Sequence, residues 1–180
     1  MQPIKLYSHS SGPNPYKVMI IMEELGLDYK VEMVDFAVIK QVRTLSCGFT
    51  QVLHALQKPF TDVNPNGRVP AIHDPNQEIT LWESGAIVDY LVQEYDKDHK
   101  ISHQDKKTKY LDNQWLHFQV SGQGPYFGQA VWFRNFHGEK IPSAMERYVN
   151  EVKRVTKVLN DHLEAAGTPY LTGDKCTYAD

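Results

Sequence analysis

The sequence predicts an α/β domain followed by an all-α domain, and three observations carry that prediction. Two short runs of strand-forming residues, Ile4 to Tyr7 and Tyr29 to Val34, flank a segment that opens near Pro13, repeats apolar residues at helical spacing and stops at Gly26. A polar run from Asp96 to Lys107 separates this half from the next. Beyond it, Met145, Tyr148, Val149, Val152, Val155, Leu159 and Leu163 recur with the period of a helix.

Each element has its own signal. Pro13 suits the first position of a helix, where its missing N–H would have no partner in any case. Val18, Ile21, Met22 and Leu25 form the buried stripe of that helix, and the strand from Tyr29 completes a β-α-β unit. Strands near Val69 to His73 and Glu78 to Leu81, joined through Asp74-Pro75-Asn76-Gln77, complete the sheet. Glu83 to Tyr95 is the covering helix, with Ser84 as its N-cap ahead of Ile87, Val88, Leu91, Val92 and Tyr95. The expected organisation is residues 1–95, a connector over 96–104, and a helical domain over 105–180. In the last, Leu111, Trp115 and Phe118 start the first of two long antiparallel helices.

Two stretches carry chemistry. The loop Asn66-Gly67-Arg68-Val69-Pro70 delivers a proline into a strand, and X-Pro is the one bond for which the cis form is cheap. If Val69-Pro70 is cis, the Val69 N–H and C=O are turned from the sheet and can pair with an extended peptide. Glu83 and Ser84 then offer a carboxylate beside the first N–H groups of a helix. That combination suits a ligand with an ammonium and a carboxylate on one carbon, such as the γ-glutamyl end of glutathione. Upstream, Ser11-Gly12-Pro13-Asn14 has the form of a Cys-Gly-Pro-Cys turn with a hydroxyl and an amide in place of the thiols. It has no dithiol of its own, but the Ser11 hydroxyl, the Asn14 amide and the start of a helix can favour a bound thiolate. Lowering a thiol pKa by two units takes about 2.7 kcal/mol. Taken alone, Ser11 and Asn14 read as helix caps.

Composition narrows the class. A net charge of −3 leaves no basic footprint for nucleic acid. No apolar leader or membrane-length run occurs, which places the chain in the cytoplasm. Cys47 and Cys176 are too few for a disulfide scaffold, and the eight histidines form no metal-binding pattern, so no metal is expected.

The order Tyr7-Ser8-His9-Ser10-Ser11-Gly12-Pro13-Asn14, Val69-Pro70 and Glu83-Ser84 resembles the glutathione transferase superfamily. Within it, the chain is similar to the fungal and bacterial branch that contains the yeast nitrogen-catabolite regulator. The likeness continues through Trp115-Leu116-His117-Phe118-Gln119, Ser121-Gly122-Gln123-Gly124-Pro125 and Gly173-Asp174-Lys175. The resemblance implies a thioredoxin-like N-terminal domain, an all-α C-terminal domain, glutathione as co-substrate, a small electrophile or disulfide as second substrate, and a homodimer. The resembled branch points to Asn14 as the catalytic residue that activates the thiol; related classes use a serine at the Ser11 position, and others a tyrosine where Tyr7 stands, so Ser11 and Tyr7 are the alternatives. Arg68, Val69, Pro70, Glu83 and Ser84 are the implied glutathione-binding residues, and Lys40 or Lys58 would meet the glycine carboxylate. Tyr126, Phe127, Trp132 and Phe133 are candidates for the electrophile pocket, or for ordinary core or dimer packing. The implied activity is glutathione conjugation or reduction of small electrophiles. The alternatives are a glutathione-dependent disulfide oxidoreductase or peroxidase, and a regulatory glutathione-binding protein without turnover.

Two segments depart from the resembled pattern. Residues 42–57 interrupt a link that is short in relatives, and joining Gln41 to Lys58 restores its length. The segment begins with Val, whose codons start GT, and ends with Gln, which CAG can encode, so it reads as an intron-like insert; the alternative is a surface insertion. At the other end, Thr177-x-x-Asp180 has capping-box spacing, and in the resembled family it opens a central helix. The expectation is therefore a truncated helical domain with exposed apolar faces.

Overall fold

The computed structural model describes residues 1–34 and 58–180. Lys40, Cys47 and the atypical segment 42–57 lie outside the described residues. The described chain forms two compact units, Met1–Tyr95 and Asp96–Asp180.

In the first unit, strands β1 (Ile4–Ser8), β2 (Tyr29–Met33), β3 (Ala71–Asp74) and β4 (Ile79–Trp82) form one mixed sheet in the order β2-β1-β3-β4. β1 and β2 run parallel around helix α1 (Pro13–Glu24), while β3 is antiparallel to both β1 and β4. Alternation along β1 buries Ile4, Leu6 and Ser8 and leaves Lys5 exposed, the period-2 pattern of a strand. A one-turn helix, α2 (Phe60–Val63), leads into the loop before β3. Helix α3 (Ser84–Tyr95) packs against α1. Their apolar stripes, Val18, Ile21 and Met22 on one and Ile87, Val88, Leu91 and Val92 on the other, join Ile4, Leu6, Ala71 and Ile72 in the core. At roughly 1.5–3 kcal/mol for each fully buried aliphatic side chain, this cluster is the main apolar source of the unit's stability.

Ser84 is not the N-cap that its position suggests. Glu83 is the flanking residue: its carbonyl accepts the Ile87 N–H at 2.9 Å, and Ser84 is the first helical residue. Glu83 has a φ of 75°, the left-handed region that a side chain disfavours, and this turn swings the chain from β4 into α3.

The second unit opens with a folded corner. The buried Asp96 carboxylate accepts the Lys100 N–H at 2.6 Å, the Ile101 N–H at 3.1 Å and the Ser102 hydroxyl at 2.7 Å. Asp105 caps α4 (Lys106–Phe118) through the Thr108 N–H at 2.9 Å. The helical path then runs through a π turn (Gln119–Gln123), α5 (Gly124–Val131) and a second π turn (Trp132–Phe136). The long helix α6 (Pro142–Ala166) lies against α5 and ends on Gly167, whose φ of 64° forms the left-handed stop that glycine supplies without a Cβ clash. Trp115 contacts His162 at 4.5 Å between ring centres, and Phe133 stacks on Tyr148 at 5.3 Å. Phe133 is thus engaged in packing within its own unit, and Tyr126 lies under the Arg154 guanidinium at 5.8 Å. No described helix is long and apolar enough to cross a membrane.

Candidate functional site

The sheet register assembles the site. Tyr7 pairs with Ala71, and Ala71 with Trp82. Because β3 runs antiparallel to both neighbours, this one row fixes three chain segments at the same end of the sheet. They are the turn that follows β1, the loop that precedes β3, and the Glu83-Ser84 corner that follows β4.

The turn after β1 leads into α1, whose flanking residue is Gly12 with no side-chain cap. Ser11 and Asn14 are therefore not caps. The Ser11 hydroxyl lies 3.0 Å from Nδ1 of His9, and the Ser11 backbone nitrogen lies 3.3 Å from the same atom. Asn14, the second residue of the helix, is exposed, and its amide has no hydrogen-bond partner among the described residues. Prolines at positions 13 and 15 leave the Asn14 N–H as the donor between them at the positive end of the helix.

The loop before β3 is built on buried Asn64. Its side-chain oxygen accepts the Asn66 N–H at 2.9 Å, its amide donates to the Arg68 carbonyl at 2.6 Å, and its own carbonyl accepts the Gly67 N–H at 2.9 Å. Gly67, at a φ of 63°, makes the left-handed step in this turn. Val69-Pro70 is cis, and neither the N–H nor the C=O of Val69 is hydrogen-bonded among the described residues. The Arg68 side chain points to solvent with no partner among the described residues.

At the third segment, Glu83 is exposed and Ser84 buried, and the Ser84 hydroxyl has no partner among the described residues. Glu83 shares its left-handed backbone with Glu78 and His99 among the described non-glycine residues, a conformation that costs about 1–3 kcal/mol. Lys17, one turn along α1 from Asn14, feels the Glu83 carboxylate; burial pulls its ammonium down to about 8, and Glu83 pulls the other way.

Tyr7 packs its ring on Phe60 at 5.5 Å, with the Lys5 ammonium over it at 5.7 Å. Lys58 is exposed beside α2 and pairs with Asp62 at 3.1 Å. Lys40 lies outside the described residues. Among the described residues, no group of His, Cys, Asp and Glu is arranged to hold a metal ion. A cavity of about 320 Å³ in the second unit is lined by Trp115, Phe118, Gln119, Gln123, Tyr170 and Asp180, among others. Its carboxylate, Asp180, is already occupied by the Leu171 and Thr177 N–H groups, each at 2.8 Å.

Sequence reasoning missed two residues of the site, His9 and Asn64. An Asn ahead of Pro-Asn-Gly is a turn signal that could have exposed Asn64. His9 has no comparable signal in the sequence.

The family pattern described as Glutathione S-transferase, N-terminal domain, matches residues 11–94. The chain is 49% identical over 187 residues to the glutathione S-transferase-like protein tpcF of Aspergillus fumigatus, covering all of this chain and 76% of that protein. In structure it is similar to the glutathione transferase URE2P6 of Phanerochaete chrysosporium in complex with oxidized glutathione. The TM-score is 0.85 at 44% identity, over 99% of this chain and 74% of that one. A glutathione transferase homolog from Lodderomyces elongisporus, with two GSH per subunit, gives a TM-score of 0.85 at 35% identity, over 99% and 79% of the two chains.

Proposed function

From the premise that the chain belongs to the glutathione S-transferase family, we propose that its first unit binds glutathione and presents the thiolate to small electrophiles. One observation carries the reading: a single register row puts the Val69 backbone and the Asn14 amide, both without partners among the described residues, at one end of the sheet with the Glu83-Ser84 corner. The Val69 N–H and C=O pair with the cysteinyl residue of the tripeptide in the manner of an added strand. Glu83 takes the γ-glutamyl ammonium, and the start of α3 at Ser84 takes its carboxylate. Arg68 and Lys58 are the described cations available to the glycine carboxylate, Lys58 being held only by an exposed ion pair worth little. Asn14 donates to the sulfur, and holding the thiolate beside the electrophile supplies the rate.

Substitution N14A tests this. Turnover of a chromogenic electrophile is expected to fall about 10²-fold, the size of losing one donor to a developing anion. Glutathione affinity should stay within a few-fold. An equal loss in both removes Asn14 from the chemistry.

A second reading, glutathione-dependent disulfide reduction at the same site, draws support from relatives held with oxidized glutathione and with two GSH per subunit. Reduction of a small disulfide without conjugation selects it. Retention on immobilised glutathione with neither activity selects a regulatory binder. The homodimer and cytoplasmic setting belong to the same reading, and sedimentation and cell fractionation test them.

A further inference from the structure

The contacts of Ser11 fix the direction of its hydroxyl. Its backbone N–H can only donate, so Nδ1 of His9 accepts, and the proton of the neutral ring is on Nε2. With Nδ1 unprotonated, the Ser11 hydroxyl must also donate across its 3.0 Å contact. The Ser11 oxygen therefore turns its proton inward and its lone pairs outward. That is the wrong polarity for holding a thiolate and the right one for receiving a thiol proton. Asn14 has the opposite character, an amide donor with no partner among the described residues.

We propose that His9 is a positioning residue that acts through Ser11 to accept the proton of the bound glutathione thiol. The proposal rests on the transferase reading above, and it divides the work between the two residues of the turn. As the S–H bond breaks, its proton passes to the Ser11 oxygen while the Ser11 hydroxyl proton passes to Nδ1. The products are a thiolate, a neutral serine and an imidazolium that keeps the proton while the thiolate is bound; no electrons change hands. The Asn14 amide then donates to the thiolate.

Asparagine at position 9 separates this role from a structural one. Its side-chain oxygen can accept the N–H two residues ahead in an Asx turn, so H9N keeps the turn but has no base to take a proton. The measurements are glutathione affinity by calorimetry, the ultraviolet absorbance of bound thiolate at neutral pH, and kcat and KM with a chromogenic electrophile. H9N should bind glutathione within a few-fold of the parent while thiolate absorbance and kcat fall together, kcat by about 10²-fold. S11A should match it, and the double variant should fall no further. Parental thiolate absorbance and kcat in H9N overturn the relay, as does a loss of glutathione affinity that matches the loss of kcat. A parent chain that binds no glutathione overturns the transferase reading itself, and the relay with it.

Discussion

Asn64 holds the loop that presents Val69, and it does so with both halves of one amide. Its oxygen accepts from Asn66 and its nitrogen donates to the Arg68 carbonyl, so the two ends of the turn need opposite polarity from a single side chain. Aspartate supplies only the acceptor and sets a carboxylate against the Arg68 carbonyl. N64A and N64D are therefore both expected to cost about 1–3 kcal/mol of stability, from buried groups left unpaired. Glutathione affinity should weaken by about tenfold or more, with kcat at saturation largely kept; urea unfolding and calorimetry check both. At this scale the sequence was informative where residue type alone carries chemistry. The proline at position 70, the Glu83 carboxylate and the Asn14 amide could be singled out without coordinates. His9 and Asn64 could not be assigned partners, because a bond to a neighbour two or four residues away depends on the φ and ψ of the turn between them. Ser84 does not cap α3 for the same reason: helix α3 begins at Ser84 itself, after the left-handed turn at Glu83.

Asp74 ties the elements behind the site together. Buried at the end of β3, its carboxylate accepts the Tyr90 hydroxyl at 2.6 Å, the Tyr95 hydroxyl, and both the backbone and side-chain nitrogens of Asn76, at 2.8 and 2.9 Å. The sheet is thereby fastened to α3, the helix whose first turn carries Ser84. Burial pushes the Asp74 carboxyl up, but these donors outweigh it and hold it below its ordinary value. A carboxylate depressed by folding stabilises fully above its unfolded value, near 3.9, and loses that contribution as pH falls through the lower folded value. D74N should cost about 2–4 kcal/mol at neutral pH. Its urea midpoint should also depend less on pH than the parent's below about pH 4, where Asp74 titrates; parallel pH curves would remove Asp74 from the acid response. On the alkaline side, burial and Asp74 push the Tyr95 phenol up to about 12 and Tyr90 in the same direction, so both stay donors. Elements were legible wherever burial is one-sided: the alternation of β1 and the stripes of α1 and α3 follow directly from it. The π turns at Gln119–Gln123 and Trp132–Phe136 were not, since a helix and its one-residue widening share almost the same apolar spacing.

Across the whole molecule, the change of pattern at Asp96 is visible as polarity, but polarity does not reveal that Asp96 is buried and holds Lys100, Ile101 and Ser102. The proposed ligand groups all belong to Met1–Tyr95, so glutathione should act on the intact chain as a ligand of the folded first unit. A ligand that binds only the folded form adds RT ln(1 + [L]/Kd), about 2.7 kcal/mol at a hundred times Kd. For a chain of this size, that corresponds to a rise of about 5–10 °C in the thermal midpoint. The variants should then separate by what each residue does. N14A should keep nearly the full rise, because Asn14 meets only the sulfur while the Val69 backbone and the α3 corner still hold the rest of the tripeptide. E83A should lose most of it at the same concentration, because the γ-glutamyl ammonium would be left without its carboxylate. Scanning fluorimetry of the three proteins, with and without glutathione, reads this directly. A full rise in E83A would move the γ-glutamyl end away from the α3 corner, and loss of the rise in N14A would make Asn14 a binding residue rather than a thiolate donor.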